Sequence, residues 1–252
     1  MDSLLKISII TATYNSYPNI LSMLKNIQSQ SYPNIELIII DGGSTDGTIE
    51  EIKKCNFVTD YISELDQGIY DALNKGLKLA SGQIIGFLHS DDVFANNNIV
   101  SEIVNQFKNK KIAGLYGDLQ YVKKKNTNEI IRNWKSCNFY AGLLKKGWMP
   151  AHPTLFLRKE VYTKHGNFNL TYKISADYDF MIRVLKDNTF KFIYLPKVIT
   201  KMRIGGESNR SLKNIIVKTK EDYRVITSNK IGNLTTLFLK NFNKFKQFNY
   251  NS

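Results

Sequence analysis

The chain has 252 residues, 42% of them apolar, which is ordinary for a globular protein and too high for an intrinsically disordered one. Its two cysteines, Cys55 and Cys137, form neither a CxxC pair nor a metal-spaced cluster. This argues against a structural zinc site or a disulfide framework and fits a reducing compartment. The net charge of +13 indicates an anionic partner: phosphate, nucleic acid or an acidic lipid surface.

The first half of the chain alternates β-rich runs with segments of helical periodicity. Strands are predicted at 6–11, 35–41, 60–63 and 83–89. Helices are predicted between them at 20–30, 48–54 and 68–80, the last with Asp66 as its N-cap and with Ile69, Leu73, Gly76, Leu77 and Ala80 on one face. This order predicts an α/β fold with a parallel sheet, in which ligands bind beyond the carboxyl ends of the strands.

The second half is less regular. A hairpin is predicted from 115–122 and 129–132, strands at 155–158 and around Phe192 and Ile199, and helices at 176–186 and 212–228. We expect one domain at 1–208 and a basic, aromatic helical appendage at 209–252, since residues 210–252 hold nine basic and two acidic residues. The first ten residues do not resemble a secretory signal, and no apolar run is long enough to predict a membrane-spanning helix.

Acidic residues follow two of the predicted strands. Asp91 and Asp92 come directly after the 83–89 run, where a metal-bound diphosphate could lie, although a helix N-cap in a surface loop explains them about as well. Asp41 precedes two glycines, which would let a nucleotide approach the backbone, but a simple turn residue is the commoner role. Neither a GxGxxG nor a P-loop motif is present.

Candidate residues for proton transfer lie at the start of the 176–186 helix. Asp179 has Arg183 four residues later and is interpreted as one half of a surface ion pair. Asp177 has no partner at that spacing and is the better candidate for a general base. His152 is more often structural in such a position, and Arg203 could reach a phosphate.

Several motifs occur in a fixed order: TATYN (11–15), IDGGSTDGT (40–48), SELDQGIYDALNKG (63–76), FLHSDD (87–92), HPT (152–154) and ADYD (176–179). Together they resemble the family 2 glycosyltransferases of the bacterial branch that assembles surface polysaccharides, over roughly residues 7–208. The resemblance implies a GT-A fold, with a mostly parallel, Rossmann-like sheet flanked by helices. It also implies inverting transfer of a sugar from a nucleotide-diphosphate donor to an acceptor hydroxyl, with Mn²⁺ or Mg²⁺ as cofactor.

The resemblance further implies roles for single residues. Those expected in the nucleotide-sugar pocket are Thr11, Thr13, Asp41, Asp66 and Asp91. Asp91 and Asp92 would hold the metal and Asp177 would be the base, while the acceptor or supporting residues would be His152, Asp179 and Arg203. The chain departs from the family pattern at two positions: Ser90 stands where a D-x-D motif has its first acid, and Ala176 replaces a common Glu.

Two alternatives come from other classes. A sugar nucleotidyltransferase would need a Gly-rich, basic loop after the first strand, and residues 13–16 contain neither Gly nor Lys. A nucleic-acid binder would fit the charge, but that charge concentrates in the tail and no recognition motif accompanies it. We expect a UDP-sugar donor, a glycan or lipid-linked acceptor, no nucleic acid and a cytoplasmic location, and leave an oligomer open.

The tail carries a regular aromatic pattern. Phe238, Phe242, Phe245 and Phe248 share one helical face, and Lys240 and Lys244 are predicted on the opposite, solvated one. Such a helix would either lie on an anionic membrane or pack its Phe residues on protein. The membrane hypothesis predicts that removing the residues after Asn233 leaves thermal stability nearly unchanged.

Overall fold

The computed structural model describes residues 4–205 and 212–246. The described strands are β1 (Ile7–Thr13), β2 (Ile35–Asp41), β3 (Val58–Ser63), β4 (Ile84–Phe87), β5 (Val93–Phe94), β6 (Ile112–Lys123), β7 (Asn126–Trp134), β8 (Phe156–Arg158) and β9 (Lys191–Arg203). The described helices are α1 (Asn19–Gln28), α2 (Thr48–Lys53), α3 (Ile69–Leu79), α4 (Ile99–Phe107), α5 (Gly142–Lys145), α6 (Lys159–His165), α7 (Ala176–Leu185), α8 (Leu212–Ser228) and α9 (Leu234–Lys246). A short 3₁₀ turn, His152–Thr154, precedes β8.

These strands form one sheet in the order β3-β2-β1-β4-β8-β6-β9-β5, with β7 paired to β6. The N-terminal strands β3, β2, β1 and β4 are all parallel, as predicted. The second half of the sheet is mixed, because β8 runs antiparallel to β4 and β6 while β9 runs parallel to β6. The predicted hairpin is present as the antiparallel pair β6–β7.

Each face of the sheet carries its own hydrophobic core. In β1, Ile7 and Ile9 pack against α1 and α4, whereas Ile10 and Ala12 point to the other side, toward α3 and α7. Helix α3 approaches the sheet closely at Gly76, where a Cβ atom would come 2.4 Å from Ile10 Cγ2. The face predicted for α3 is buried except at Ile69, whose side chain is 45% exposed.

Three helices and two strands differ from the sequence predictions, and the short strand β5 was not among those predicted. Helices α4, α5 and α6 were not predicted, although the apolar residues of α4 recur with helical spacing and are buried. The two strands expected around Phe192 and Ile199 are one strand, β9. Its pairing with β6 shifts register between Tyr194 and Val198, a stretch that includes Pro196, which has no N–H to donate.

Helices α8 and α9 pack against the rest of the described chain. Val225 and Ile226 of α8 are fully buried in the core that contains α7. In α9, Lys240 is only 5% exposed, lies 2.5 Å from the buried Asp222 carboxylate and sits 3.4 Å above the Tyr178 ring. The prediction that Lys240 faces solvent was therefore wrong. Burial lowers the pKa of Lys240, and the Asp222 charge opposes that shift.

Two aromatic residues of α9 are exposed. Phe238 and Phe242 are 67% and 46% exposed and their rings stack on each other at 6.1 Å. The side chains of Phe245 and Lys244, and the whole of Phe248, lie outside the described residues. Among the helices described, none combines the length and apolar character needed to cross a bilayer.

The buried ion pair makes α9 a stabilising element. We expect Lys240→Met to lower the free energy of unfolding by about 3–5 kcal/mol, because Asp222 would remain buried without its cation. Adding Asp222→Asn should recover part of that loss, and Lys220→Met, at an exposed position of α8, should change little. Denaturant unfolding measures all three. An unchanged midpoint for Lys240→Met, or for a chain ending at Asn233, would show that α9 is not packed as described.

Candidate active site

The carboxyl ends of the parallel strands bring four of the predicted residues to one edge. Thr13 at the end of β1 is paired in register with Asp41 of β2, and Asp41 with Ser63 of β3. Because β4 is parallel to β1, the loop that follows it, with Asp91 and Asp92, leaves the sheet at the same edge. The expected position of the site beyond the strand ends therefore matches the topology.

Asp41 is fully buried and its carboxylate is occupied by the protein. Oδ2 accepts hydrogen bonds from the backbone of Gly43 and Ser44, both at 2.9 Å, and from the Ser63 hydroxyl at 2.8 Å. The Ser44 hydroxyl donates to Oδ1. Asp41 thus fixes the glycine loop, with Gly43 at φ +83°, and its expected contact with a nucleotide stays a prediction.

The walls of this loop come from Tyr14 and Asp66. A Cβ atom on Gly42 would lie 2.9 Å from Asp66 Oδ2 and 3.4 Å from Tyr14 Cδ2, so both side chains flank the glycine. Tyr14 is 64% exposed, which presents an aromatic face beside the loop. Asp66 also accepts from Gly68 N–H at 2.8 Å. Gly68 is the N-cap residue of α3 and no described side chain caps that helix, so the prediction of Asp66 as its N-cap was wrong.

The two threonines of β1 behave differently. The Thr11 hydroxyl is fully buried and donates to the Leu88 carbonyl at 2.7 Å, which ties β1 to the segment after β4. The Thr13 hydroxyl is also buried, but has no hydrogen-bond partner among the described residues. An unpaired buried hydroxyl at a strand end is a polar group that a ligand could satisfy.

Asp92 is a buried acid whose carboxylate is only partly satisfied by described residues. It is 1% exposed, its Oδ1 accepts from Arg203 N–H at 3.1 Å, and its Oδ2 is buried without a partner in the described chain. Burial, followed by the charge of Asp91, raises the pKa of Asp92 well above its usual value, and Arg203 counters this in part. The carboxylate lacks the compensation that a further positive charge would provide.

Arg203, at the end of β9, holds the acidic loop in place. Its guanidinium donates to the Asp91 carbonyl, to the Lys124 carbonyl at 3.0 Å and to the Ser22 hydroxyl at 2.9 Å. The residue is only 7% exposed. Arg203 positions the loop with three of its guanidinium donors, and the expectation that it also reaches a phosphate stays a prediction.

Asp177 opens helix α7 and remains partly exposed. The hydrogen bonds that described residues make to it fall on Oδ1, from Tyr178 N–H at 2.8 Å and from the Tyr70 hydroxyl at 3.0 Å. The same hydroxyl lies 2.6 Å from the Ile174 carbonyl, so its single proton serves either acceptor. Burial and the Asp177 charge raise the pKa of Tyr70 well above its usual value, which keeps it protonated. Asp177 Oδ2 is left to accept a proton.

Two histidines lie near Asp177. The rings of His89 and His152 are 6.1 Å apart, and His152 Nε2 and His89 Nδ1 are buried without partners in the described chain. Burial lowers the pKa of His152 to about 4 and also lowers that of His89, while the Asp177 charge acts in the opposite direction on both. Both imidazoles are therefore neutral near pH 7, and both lie near Asp177.

The contacts of Asp179 are with residues other than the histidines and Asp177. Its Oδ2 pairs with Arg183 Nε at 2.9 Å, as predicted, and its Oδ1 accepts from Asn229 of α8 at 3.0 Å. The pair is not a surface one, because Asp179 is 5% exposed. Sequence reasoning missed His89, Tyr70 and Tyr14 as candidates, although each stands inside one of the quoted motifs.

The acidic loop fits a divalent cation with few protein ligands. Asp92 Oδ2 is an unsatisfied buried carboxylate oxygen, and Asp91 adds a second carboxylate of the hard oxygen type that Mn²⁺ and Mg²⁺ accept. Ser90 is buried and its hydroxyl lies 2.8 Å from that of Ser16. No group of three or more His, Cys, Asp or Glu residues that could hold a metal occurs in the described ranges.

The chain is similar in sequence to known proteins. The model of glycosyl transferase family 2 matches residues 8–187. A "PGL/p-HBAD biosynthesis glycosyltransferase" of Mycobacterium bovis (strain BCG / Pasteur 1173P2) is 30% identical over 230 residues, which cover 87% of each chain. The Escherichia coli "UDP-Glc:alpha-D-GlcNAc-diphosphoundecaprenol beta-1,3-glucosyltransferase WfgD" is 30% identical over 213 residues, covering 82% of this chain and 80% of the relative.

Solved structures share the fold. The Staphylococcus aureus TarS 1–349 structure in complex with UDP-GlcNAc superimposes with a TM-score of 0.70 at 20% identity, over 88% of this chain and 66% of that one. The mannosyltransferase PcManGT from Pyrobaculum calidifontis, in complex with GDP-Man and Mn²⁺, gives 0.66 at 18% identity, over 90% and 64%. This chain spans 40% of a longer TarS chain. The expected GT-A fold is thereby confirmed.

Proposed function

The chain belongs to glycosyl transferase family 2, and from that premise we propose that it transfers a sugar from a nucleoside-diphosphate donor to an acceptor hydroxyl with inversion at the anomeric carbon. The observation that carries the proposal is the meeting of the Asp91–Asp92 loop and Asp177 around two neutral histidines. Family membership leaves no support for the nucleotidyltransferase or the nucleic-acid binder.

The nucleotide would occupy the edge between β1 and β2. Tyr14 offers an exposed ring on which a base can stack, and the Asp66 carboxylate and the unpaired Thr13 hydroxyl offer polar contacts beside it. Asp41, Thr11 and Arg203 would keep this edge rigid. UDP is the favoured nucleotide, since the names of WfgD and of the TarS complex include UDP-sugars.

Transfer would proceed by a single displacement. The acceptor oxygen attacks the anomeric carbon while Asp177 Oδ2 takes its proton, and the bond between that carbon and the diphosphate oxygen breaks, with its electron pair leaving on the diphosphate. His89 and His152, being neutral, can exchange hydrogen bonds with sugar hydroxyls without adding charge. Asp179 would act only by fixing α7.

Asp91 and Asp92 would hold Mn²⁺ or Mg²⁺, and the cation would neutralise charge on the leaving diphosphate. Asp92 would supply Oδ2, the oxygen that no described residue satisfies. Arg203 would hold both acids at the strand ends. Its guanidinium donates to the Asp91 carbonyl, and its backbone N–H donates to the Asp92 carboxylate.

The acceptor would belong to cell-surface glycan or glycolipid synthesis. The name of WfgD includes a lipid-linked diphosphoundecaprenol acceptor, and that of the mycobacterial relative places it in PGL/p-HBAD biosynthesis. A lipid-linked acceptor would bring this protein to the cytoplasmic face of a membrane. The exposed α9 stripe formed by Leu234, Phe238 and Phe242 suits such a surface, since aromatic side chains enter the headgroup boundary.

The base assignment predicts a specific rate defect. Asp177→Asn should lower the turnover number about 10²-fold or more while UDP still binds, because a general base contributes roughly 10²–10⁴-fold. UDP release from the UDP-sugar that stabilises the protein most, with water as acceptor if necessary, measures it. The matched variant Asp179→Asn should lose stability more than rate. Weaker UDP binding with an intact rate would mean that Asp177 is misassigned.

The metal assignment predicts linked binding of cation and nucleotide. UDP should raise the melting temperature more with Mn²⁺ than with EDTA, and Asp92→Asn should abolish that difference while its amide oxygen keeps the bond from Arg203 N–H. Asp60→Asn, at an exposed position of β3, is the control. An Asp92→Asn protein that keeps the Mn²⁺-dependent shift would remove Asp92 from the metal site.

The membrane assignment predicts that binding to liposomes depends on the exposed aromatic residues of α9. Sedimentation with liposomes containing anionic lipid should fall for the Phe238→Ser/Phe242→Ser double variant, with the melting temperature kept because both rings are exposed. Leu65→Ser, at an 85% exposed position far along the chain, should sediment as the parent does. Equal sedimentation of the parent and the double variant would end this part of the proposal.

A further inference from the structure

Two adjacent acids of α8 grip the segment that leads into the proposed base. The Glu221 carboxylate accepts hydrogen bonds from three consecutive backbone N–H groups, those of Lys173 and Ile174 at 2.8 Å and that of Ser175 at 2.9 Å. The next residue, Asp222, accepts from the Ser175 hydroxyl at 2.8 Å. We call residues 173–175 the entry segment, and Glu221 with Asp222 the acidic clamp.

The acidic clamp supplies hydrogen-bond acceptors for the backbone N–H groups of the entry segment. The entry segment has no strand partner, and its N–H groups precede the first turn of α7, where backbone donors lack intrahelical acceptors. A carboxylate that accepts several N–H bonds makes charge-assisted contacts that are shorter and stronger than neutral ones. Ser175 is the N-cap residue of α7, yet its hydroxyl makes no cap hydrogen bond to α7 and binds Asp222 instead.

An ion pair with Lys240 of α9 holds the acidic clamp in place. Asp222 is 2% exposed and its second contact is the ammonium of Lys240 in α9, at 2.5 Å. The Lys240 ammonium also lies over the ring of Tyr178, the neighbour of Asp177. The charges of Asp222 and Asp177 both raise the pKa of Lys240, against the larger effect of burial, so the three groups share one neighbourhood.

The entry segment controls where Asp177 lies. Only Ala176 separates Ser175 from Asp177, and the Ser175 carbonyl accepts the Asp179 N–H at 3.0 Å in the first turn of α7. The Tyr70 hydroxyl spans the Ile174 carbonyl and Asp177 Oδ1, so a shift of the segment moves the acid and its neighbour together. A displacement of about 1 Å at a reacting group can cost roughly 10²-fold in rate.

We propose that Glu221 and Asp222, backed by Lys240, are positioning residues that set the location of Asp177 for proton transfer. The inference rests on the proposed function, since it requires Asp177 to be the base. It gives α8 and α9 a role in the reaction, although none of their residues touches the strand-end edge in the described contacts. A purely structural brace would instead stabilise the fold with no separate effect on rate.

The test separates positioning from stability. Glu221→Gln places an amide N–H against the entry segment, and we expect kcat for UDP release to fall about 10- to 10²-fold with the Kd for UDP unchanged. Ser175→Ala is a milder second variant that removes only the hydroxyl bound by Asp222, with an expected loss of several-fold. Val225→Ala weakens the buried face of the same helix without touching the clamp and should keep kcat near that of the parent.

The UDP-sugar that gives the largest thermal shift serves as substrate, and all variants are assayed well below their melting temperatures beside Asp177→Asn. A fall in kcat for Glu221→Gln and Ser175→Ala, with UDP affinity and Val225→Ala unaffected, supports the proposal. Activity of Glu221→Gln and of Ser175→Ala within twofold of the parent, while Asp177→Asn is inactive, would overturn it. So would equal losses in Val225→Ala and Glu221→Gln. Full activity of Asp177→Asn would instead overturn the proposed function.

Discussion

A buried guanidinium holds the acidic side of this molecule together. Arg203 stands at the end of β9, yet it binds the loop after β4, the β6–β7 hairpin and helix α1, three segments that are far apart in sequence. Its backbone N–H reaches Asp92 as well. An unpaired cation in such a place would be costly, so these acceptors satisfy Arg203 while Arg203 fixes them. These contacts fix Arg203, and Arg203 in turn fixes the loop that carries Asp91 and Asp92.

Neutral groups lie close to the acids of this site. Asp91 and Asp92 lie at the strand ends and Asp177 at the start of α7, and His89 and His152, which burial keeps uncharged near pH 7, lie near Asp177. The protonated Tyr70 hydroxyl lies beside Asp177 as a donor. In the proposed reaction the two acidic regions would have different tasks: one would hold a cation and a diphosphate, and the other would take a single proton.

The sequence was most informative where neighbours along the chain are also neighbours in space. Short apolar, β-rich runs predicted β1 and β2, and the helical spacing of apolar residues predicted α3. The acids that follow a strand can be placed at one edge of the sheet from the topology alone. Asp177 was singled out because it lacks a partner at helical spacing, and the pairing of Asp179 with Arg183 was correct. The roles of Asp41, Asp66 and Asp92 came from the family resemblance and remain predictions.

Contacts between distant segments could not be predicted in this way. The hydrogen bond between Glu221 and the backbone of Ser175 joins positions 46 residues apart in sequence, and that between Arg203 and Asp92 joins positions 111 residues apart. Lys240 was assigned to solvent because a lysine opposite an aromatic stripe usually lies there, and nothing nearby in sequence indicates Asp222 as its partner. The expected division at residue 208 remains a prediction, but α8 contributes buried Val225 and Ile226 to the core that contains α7.

In the proposed reaction, the Asp91–Asp92 loop and Asp177 serve one bound nucleotide. Crystals grown with UDP and Mn²⁺, with anomalous scattering recorded to locate the metal, would test this arrangement. We expect an anomalous peak within bonding distance of Asp92 Oδ2, a uracil ring beside Tyr14, and a diphosphate between the metal and Asp177. UDP bound at another surface, or a bound UDP whose metal lies away from the Asp91–Asp92 loop, would contradict it.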